Sequence, residues 1–141
     1  MKVINRILPV TPYLEVKLDQ MIVDYLWKII AKSEVLKESH KTNLAGNISE
    51  SYKLNDLDNF FYKKVCVPLV NQFRQVNKGS DPIVNSVNFE KEPALLLDGF
   101  WVNYQYQNEF NPFHDHGGVY SFAVWLKIPY DWREQHKLAQ F

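Results

Sequence analysis

Glu109-Phe110-Asn111-Pro112-Phe113-His114-Asp115-His116-Gly117-Gly118 runs directly into Val119 to Ile128, and its reading decides the fold. Val119 to Ile128 is apolar, aromatic and β-branched, which predicts a strand. Two imidazoles and a carboxylate therefore fall at the mouth of a β-sheet, a donor set that suits a first-row transition metal. Alternate side chains of an extended chain share a face, so His114 and His116 point to one metal while Asp115 points away. A local bulge that brings in Asp115 is the alternative. Gly117 and Gly118 allow a close approach to the site, and Pro112 stiffens its entry.

The strand expected before the histidines, Phe100 to Gln107, divides its side chains by the same alternation. Trp101, Asn103, Gln105 and Gln107 share one face, and Val102, Tyr104 and Tyr106 share the other. Amides turned into a core need partners, so Asn103 and Gln105 facing inward would call for a ligand, a metal-bound water or each other. With the opposite face inward, Tyr104 offers its hydroxyl instead; packing alone accounts equally well for either set. In Val119 to Ile128, the set Tyr120, Phe122, Val124, Leu126 and Ile128 reads as core against helices. Ser121, Ala123, Trp125 and Lys127 lie opposite. Ala94 to Gly99 is a further short extended segment.

Helices precede these strands. Val3 to Val16, with Pro9 and Pro12, predicts an opening strand at a sheet edge. Asp19 is placed to cap a helix from Met21 to about Lys37, in which Ile22, Leu26, Ile29 and Ile30 recur at helical spacing. Thr42 to Ile48 reads as an ordered loop, either a connection or the rim of a site. A second helix starts near Asn55, places Leu57, Phe60, Phe61 and Val65 on one side, and meets Pro68, which should kink or divide it before Leu69 to Val76. Lys78 to Pro82 ends it. No repeat or linker divides the chain, so residues 1–141 are expected to form a single domain.

Bulk properties exclude several classes. A hydrophobic content of 46% with 15% aromatic residues predicts a folded core. Sixteen basic and sixteen acidic residues cancel, so no global field draws the chain to nucleic acid or an acidic membrane. Met21 to Ile30 is too short and too interrupted to span a bilayer. Met1 to Arg6 lacks a signal-peptide pattern, and one cysteine, Cys66, cannot form an internal disulfide. Both point to the reducing cytoplasm.

Trp101-Val102-Asn103-Tyr104-Gln105, Glu109 to Gly118, Tyr120 to Pro129 and the loop Asn43 to Ile48 together resemble the 2-oxoglutarate- and iron(II)-dependent oxygenases of marine bacterial and viral genomes. The resemblance extends over most of the chain, and its specific part is the stretch around the histidines. It implies an α+β fold in which N-terminal helices pack on a double-stranded β-helix, or jelly roll. It also implies Fe(II) as metal and 2-oxoglutarate as cosubstrate, with His114 and His116 (or Asp115) as metal ligands. Asn103, with Gln105 on the same face, would then contact 2-oxoglutarate, or Tyr104 would if the opposite face is inward. The implied reaction is hydroxylation of a second substrate with release of succinate and carbon dioxide; peptide, nucleobase and small-molecule substrates all remain open.

Two departures from the family stand out. His116 occupies the position where the family has an aspartate. The chain also ends at Phe141, where the family continues with further strands, a distal histidine and an arginine that grips the cosubstrate carboxylate. The resemblance therefore implies the first half of the barrel, from a truncated coding sequence. His136 and Arg133 are weak substitutes for the distal pair, and His40 reads as structural or exposed. Three other readings compete: a cupin-like metal-binding jelly roll, a noncatalytic interaction module, and a nucleic-acid binder suggested by the aromatic content.

Overall fold

The computed structural model describes residues 2–7, 12–77, 95–135 and 137. Pro9, His136 and the Lys78 to Pro82 turn lie outside the described residues, as does Ala94.

The expected opening strand is a hairpin: β1 (Lys2–Ile7) pairs antiparallel with β2 (Pro12–Lys17), in a register running from Lys2 opposite Lys17 to Ile7 opposite Pro12. Pro12 opens β2, where a proline is tolerated. Helix α1 (Gln20–Leu36) follows, and buries Ile22, Leu26, Ile29 and Ile30, as their spacing predicts. Asp19 holds the N-cap position, where its carbonyl, and not its side chain, accepts the N–H groups of Ile22 and Val23. Lys37 closes the helix in the left-handed region at φ 50° and donates its N–H to the Ser33 carbonyl.

The second helical stretch is initiated by Asp56. Its carboxylate accepts the N–H groups of Phe61 at 2.8 Å and Tyr62 at 2.9 Å, together with the Tyr25 hydroxyl at 2.6 Å. That satisfies donors a helix start leaves open, and ties the start to α1. A 3₁₀ turn (Leu57–Asn59) leads through Phe60 and Phe61 into a π-helical turn (Tyr62–Cys66), and then α2 (Val67–Val76). Pro68 lacks the N–H that an α-helix needs, so the division takes the form of a widened turn and the helix continues.

β3 (Glu50–Lys53) pairs antiparallel with β4 (Trp101–Tyr104), Ser51 facing Asn103 and Lys53 facing Trp101. On the other edge of β3, the His40 N–H donates to the Ser51 carbonyl at 2.9 Å and the Lys53 N–H to the Glu38 carbonyl at 2.8 Å. The core joins Ile22, Leu26 and Ile29 of α1 to Phe61 and Val65, with Phe100, Val124 and Leu126 packed against it.

Of two expected strands, one is shorter than predicted and the other is extended chain without strand pairing among the described residues. The segment expected over Phe100 to Gln107 keeps strand pairing only as β4, because a turn follows: the Glu109 N–H donates to the Tyr106 carbonyl, and Asn108 takes φ 68°. Val119 to Ile128 has no ladder partner among the described residues, yet its alternation holds. Tyr120 meets Phe73, Phe122 meets Phe61 and Phe100, and Val124 and Leu126 join the core, while Trp125 is 77% exposed. Ile128 departs from the pattern and is exposed, and Phe122 keeps its ring contacts while 48% exposed. The architecture is mixed helix and sheet with small antiparallel two-stranded sheets.

Candidate metal centre

Strand pairing gives the β3–β4 sheet two different faces. Glu50, Tyr52, Val102 and Tyr104 share one, and Tyr104 donates its hydroxyl to Glu34 on α1. Burial and that carboxylate hold the Tyr104 phenol well above its ordinary pKa. The other face carries Ser51, Lys53, Trp101 and Asn103. His40 joins it from the neighbouring edge, its ring stacked on Trp101 with centroids 4.5 Å apart and planes at 16°. Burial and the nearby Lys53 charge lower the His40 pKa, so the ring is neutral at pH 7.

The loop carrying the histidines comes to this second face. The His116 ring approaches Trp101, with centroids 6.5 Å apart, and the His114 and His116 rings lie 4.7 Å apart at 66°. His114 Nδ1 is 2.8 Å from the Pro112 carbonyl oxygen. A carbonyl only accepts, so Nδ1 carries the proton, and in the neutral ring this leaves the lone pair on Nε2. With a metal–nitrogen bond of about 2.1 Å, two imidazoles on adjacent octahedral positions have centroids roughly 4.6 Å apart. The observed separation is close to that value, and it is also that of an ordinary edge-on ring contact. Asp115 is exposed, and no group of three or more His, Cys, Asp or Glu side chains converges among the described residues. Two imidazoles therefore lie together here, and the described residues do not complete a three-ligand set.

The base of the loop is anchored at several points. Asn47 and Phe110 exchange backbone hydrogen bonds at 2.9 and 3.2 Å. Glu109 accepts the N–H groups of Ser49 at 2.9 Å and Tyr106 at 3.0 Å, which lowers its pKa. Gly46 lies so close to residues 110 and 111 that a Cβ there would collide with the Phe110 carbonyl and come within 2.8 Å of Asn111 Cα. The Thr42 to Ile48 loop is therefore the rim against which the histidine loop is built. Beyond the anchors the loop is open, with His114, Asp115, His116 and Phe113 all exposed.

The three residues associated with the cosubstrate separate. Asn103 faces the His40–Trp101 side, with its Oδ1 accepting from the buried Ser51 hydroxyl at 2.8 Å. Tyr104 faces α1. Gln105 lies past the end of β4 and donates to the Glu109 carbonyl at 2.8 Å. Arg133 pairs with Asp131 at 3.0 Å and is exposed. The Cys66 thiol is pushed up to about 11 by burial, which leaves it a poor nucleophile at neutral pH.

His40 is the neighbour that sequence reasoning missed. It lies 74 positions from His114 in the chain, and only the pairing of residues 38–40 with β3 brings it to Trp101. No helix among the described residues is long and apolar enough to cross a membrane. No protein-family model, curated protein or solved structure matches the chain.

Proposed function

We propose that the chain is a domain of the iron(II)- and 2-oxoglutarate-dependent oxygenase type, built on part of a jelly roll, in which His114 and His116 hold the metal. The observation that carries this reading is the histidine pair: a centroid separation of 4.7 Å, suited to adjacent ligands, with the His114 tautomer set by the Pro112 carbonyl. Asn103 supports it from the neighbouring strand. Ser51 holds its Oδ1, so its Nδ2 is the group left to donate to a carboxylate of 2-oxoglutarate.

Bound there, iron(II) and 2-oxoglutarate would, with dioxygen as the oxidant, supply oxidative decarboxylation to succinate and carbon dioxide, one oxygen atom entering succinate and the other the hydroxyl group of a second substrate. The protein's own part is binding and orientation: Pro112 fixes one imidazole, Glu109 and Gly46 fix the base of the loop, and Gly117 and Gly118 leave room for substrate. Tyr104 and Gln105 act indirectly, the first by joining β4 to α1 and the second by bracing the turn before the histidines.

A noncatalytic module is the second reading. It is favoured by one specific observation, the lack of a third convergent donor among the described residues. Anaerobic titration with iron(II) and 2-oxoglutarate, followed by succinate detection in air, separates the two. The oxygenase reading predicts iron binding that 2-oxoglutarate strengthens, with succinate formed on exposure to air. Iron binding unaffected by 2-oxoglutarate, with no succinate, would leave a metal-binding module.

A further inference from the structure

We infer that Trp101 and His40 form a ring stack that positions His116 for the metal pair, an inference that rests on the assignment of His114 and His116 as ligands. The rings make one continuous file, with centroid separations of 4.5 Å from His40 to Trp101, 6.5 Å from Trp101 to His116 and 4.7 Å from His116 to His114. These distances lie in the range of direct aromatic contact. His114 takes its orientation from the Pro112 carbonyl, and the ring contacts with Trp101 are what orient His116.

The stack itself is built into the sheet. Trp101 is on a paired strand opposite Lys53, and His40 is tied to β3 through its backbone N–H. Ser51, paired with Asn103 and accepting the His40 N–H, has a small side chain and is 1% exposed. Gly99 completes the cradle: a Cβ there would stand 2.9 Å from Cζ3 of the Trp101 indole, so glycine is what lets the ring lie flat in its place. His40 needs no ring nitrogen for this task. Its contribution is a flat face that prevents the indole from turning.

Trp101 is thus a positioning residue, and the test reads the orientation of His116 apart from any turnover. Ring-proton resonances of His116 are recorded by NMR on the metal-free full chain, and cobalt(II) is then titrated into the same samples by calorimetry. Trp101→Leu is expected to move the His116 resonances and weaken cobalt binding by about tenfold to a hundredfold, the usual cost of losing a group that orients a ligand. Trp101→Phe keeps an aromatic face and restores most of both signals. Gly99→Ala, which displaces the indole without removing it, shifts both in the same direction by less. His40→Phe preserves the stack and binds cobalt like the parent.

Unchanged His116 resonances and unchanged cobalt affinity in both Trp101→Leu and Gly99→Ala would overturn the inference. So would loss of cobalt binding in His40→Phe, because His40 would then be a ligand and not a stacking partner. If the parent chain takes up no cobalt while Trp101→Leu also loses the nuclear Overhauser contacts between the His116 and His114 rings, the positioning role stands and the metal assignment fails.

Discussion

The helical core and the histidine loop are held by opposite means. In the core, Ile22, Leu26, Ile29, Phe61 and Val65 are each no more than 4% exposed, so many nonspecific apolar contacts share the stabilisation. In the loop, His114, Asp115 and His116 are exposed, and order comes from a few directed contacts: Asn47 with Phe110, Glu109 with Ser49 and Tyr106, Pro112 with His114. The difference teaches that stability and site geometry are separable here. Core changes should unfold the chain, whereas loop changes should alter metal binding and leave the fold intact.

The largest effect expected from that contrast is at Phe61, which is 1% exposed and stacks on Phe100. Phe61→Ala should cost about 3–5 kcal/mol in urea unfolding, whereas His114→Ala should stay within about 0.5 kcal/mol of the parent. Comparable losses from the two would break the comparison. Asp56→Ala should come next, at about 1–3 kcal/mol, because it removes one acceptor from two helix-start N–H groups and a phenol. Chemical denaturation measures it, and Asp56→Asn should recover part of the loss.

Gly46→Ala sharpens the comparison, since it acts on the loop from outside the histidines. Pushing Gly46 off residues 110 and 111 should cost about 1–3 kcal/mol and weaken cobalt binding in parallel, as seen by calorimetry. A stability loss with unchanged affinity would detach this rim from the site.

The pH dependence is smaller and divides the same way. Burial, with Asp56 beside Tyr25 and Glu34 beside Tyr104, raises both folded pKa values above the ordinary 10.0. Their contribution is complete below pH 10 and is lost as pH rises through the folded values, so alkaline unfolding should begin above pH 10. Tyr25→Phe should blunt that onset. Glu109 has the opposite sign: its folded pKa lies below the ordinary 4.5, so what it contributes is present above pH 4.5 and lost as pH falls through the folded value. Ser49 and Tyr106 amide exchange should rise there while core amides stay protected.

What the sequence made legible follows the same division. Periodicity identified the buried positions of α1, the Phe61–Val65 face and the inward set of Tyr120, Phe122, Val124 and Leu126, because burial alone writes a repeat into the chain. It did not distinguish a paired strand from an unpaired one in Val119 to Ile128, since alternation reports which side is covered and not whether a backbone partner exists. Asp19 was the expected cap, whereas Asp56 carried no such expectation. Only the second turns its carboxylate to the helix, for Tyr25 and two N–H groups converge there. The opening pair read as one strand because β-branched residues continue on both sides of Pro9 and Pro12, and composition does not show where a chain doubles back. The His114 and His116 pair was visible as a local motif, whereas His40 was not, because its place depends on register across β3.

The most direct test of the central claim is anaerobic iron(II) titration of the parent, His114→Ala and His116→Ala chains, each checked for an unchanged unfolding midpoint. One iron per parent chain, with binding lost in both variants and stability retained, is the predicted result. Equal iron binding by all three chains would contradict the account and remove the two histidines from any metal centre.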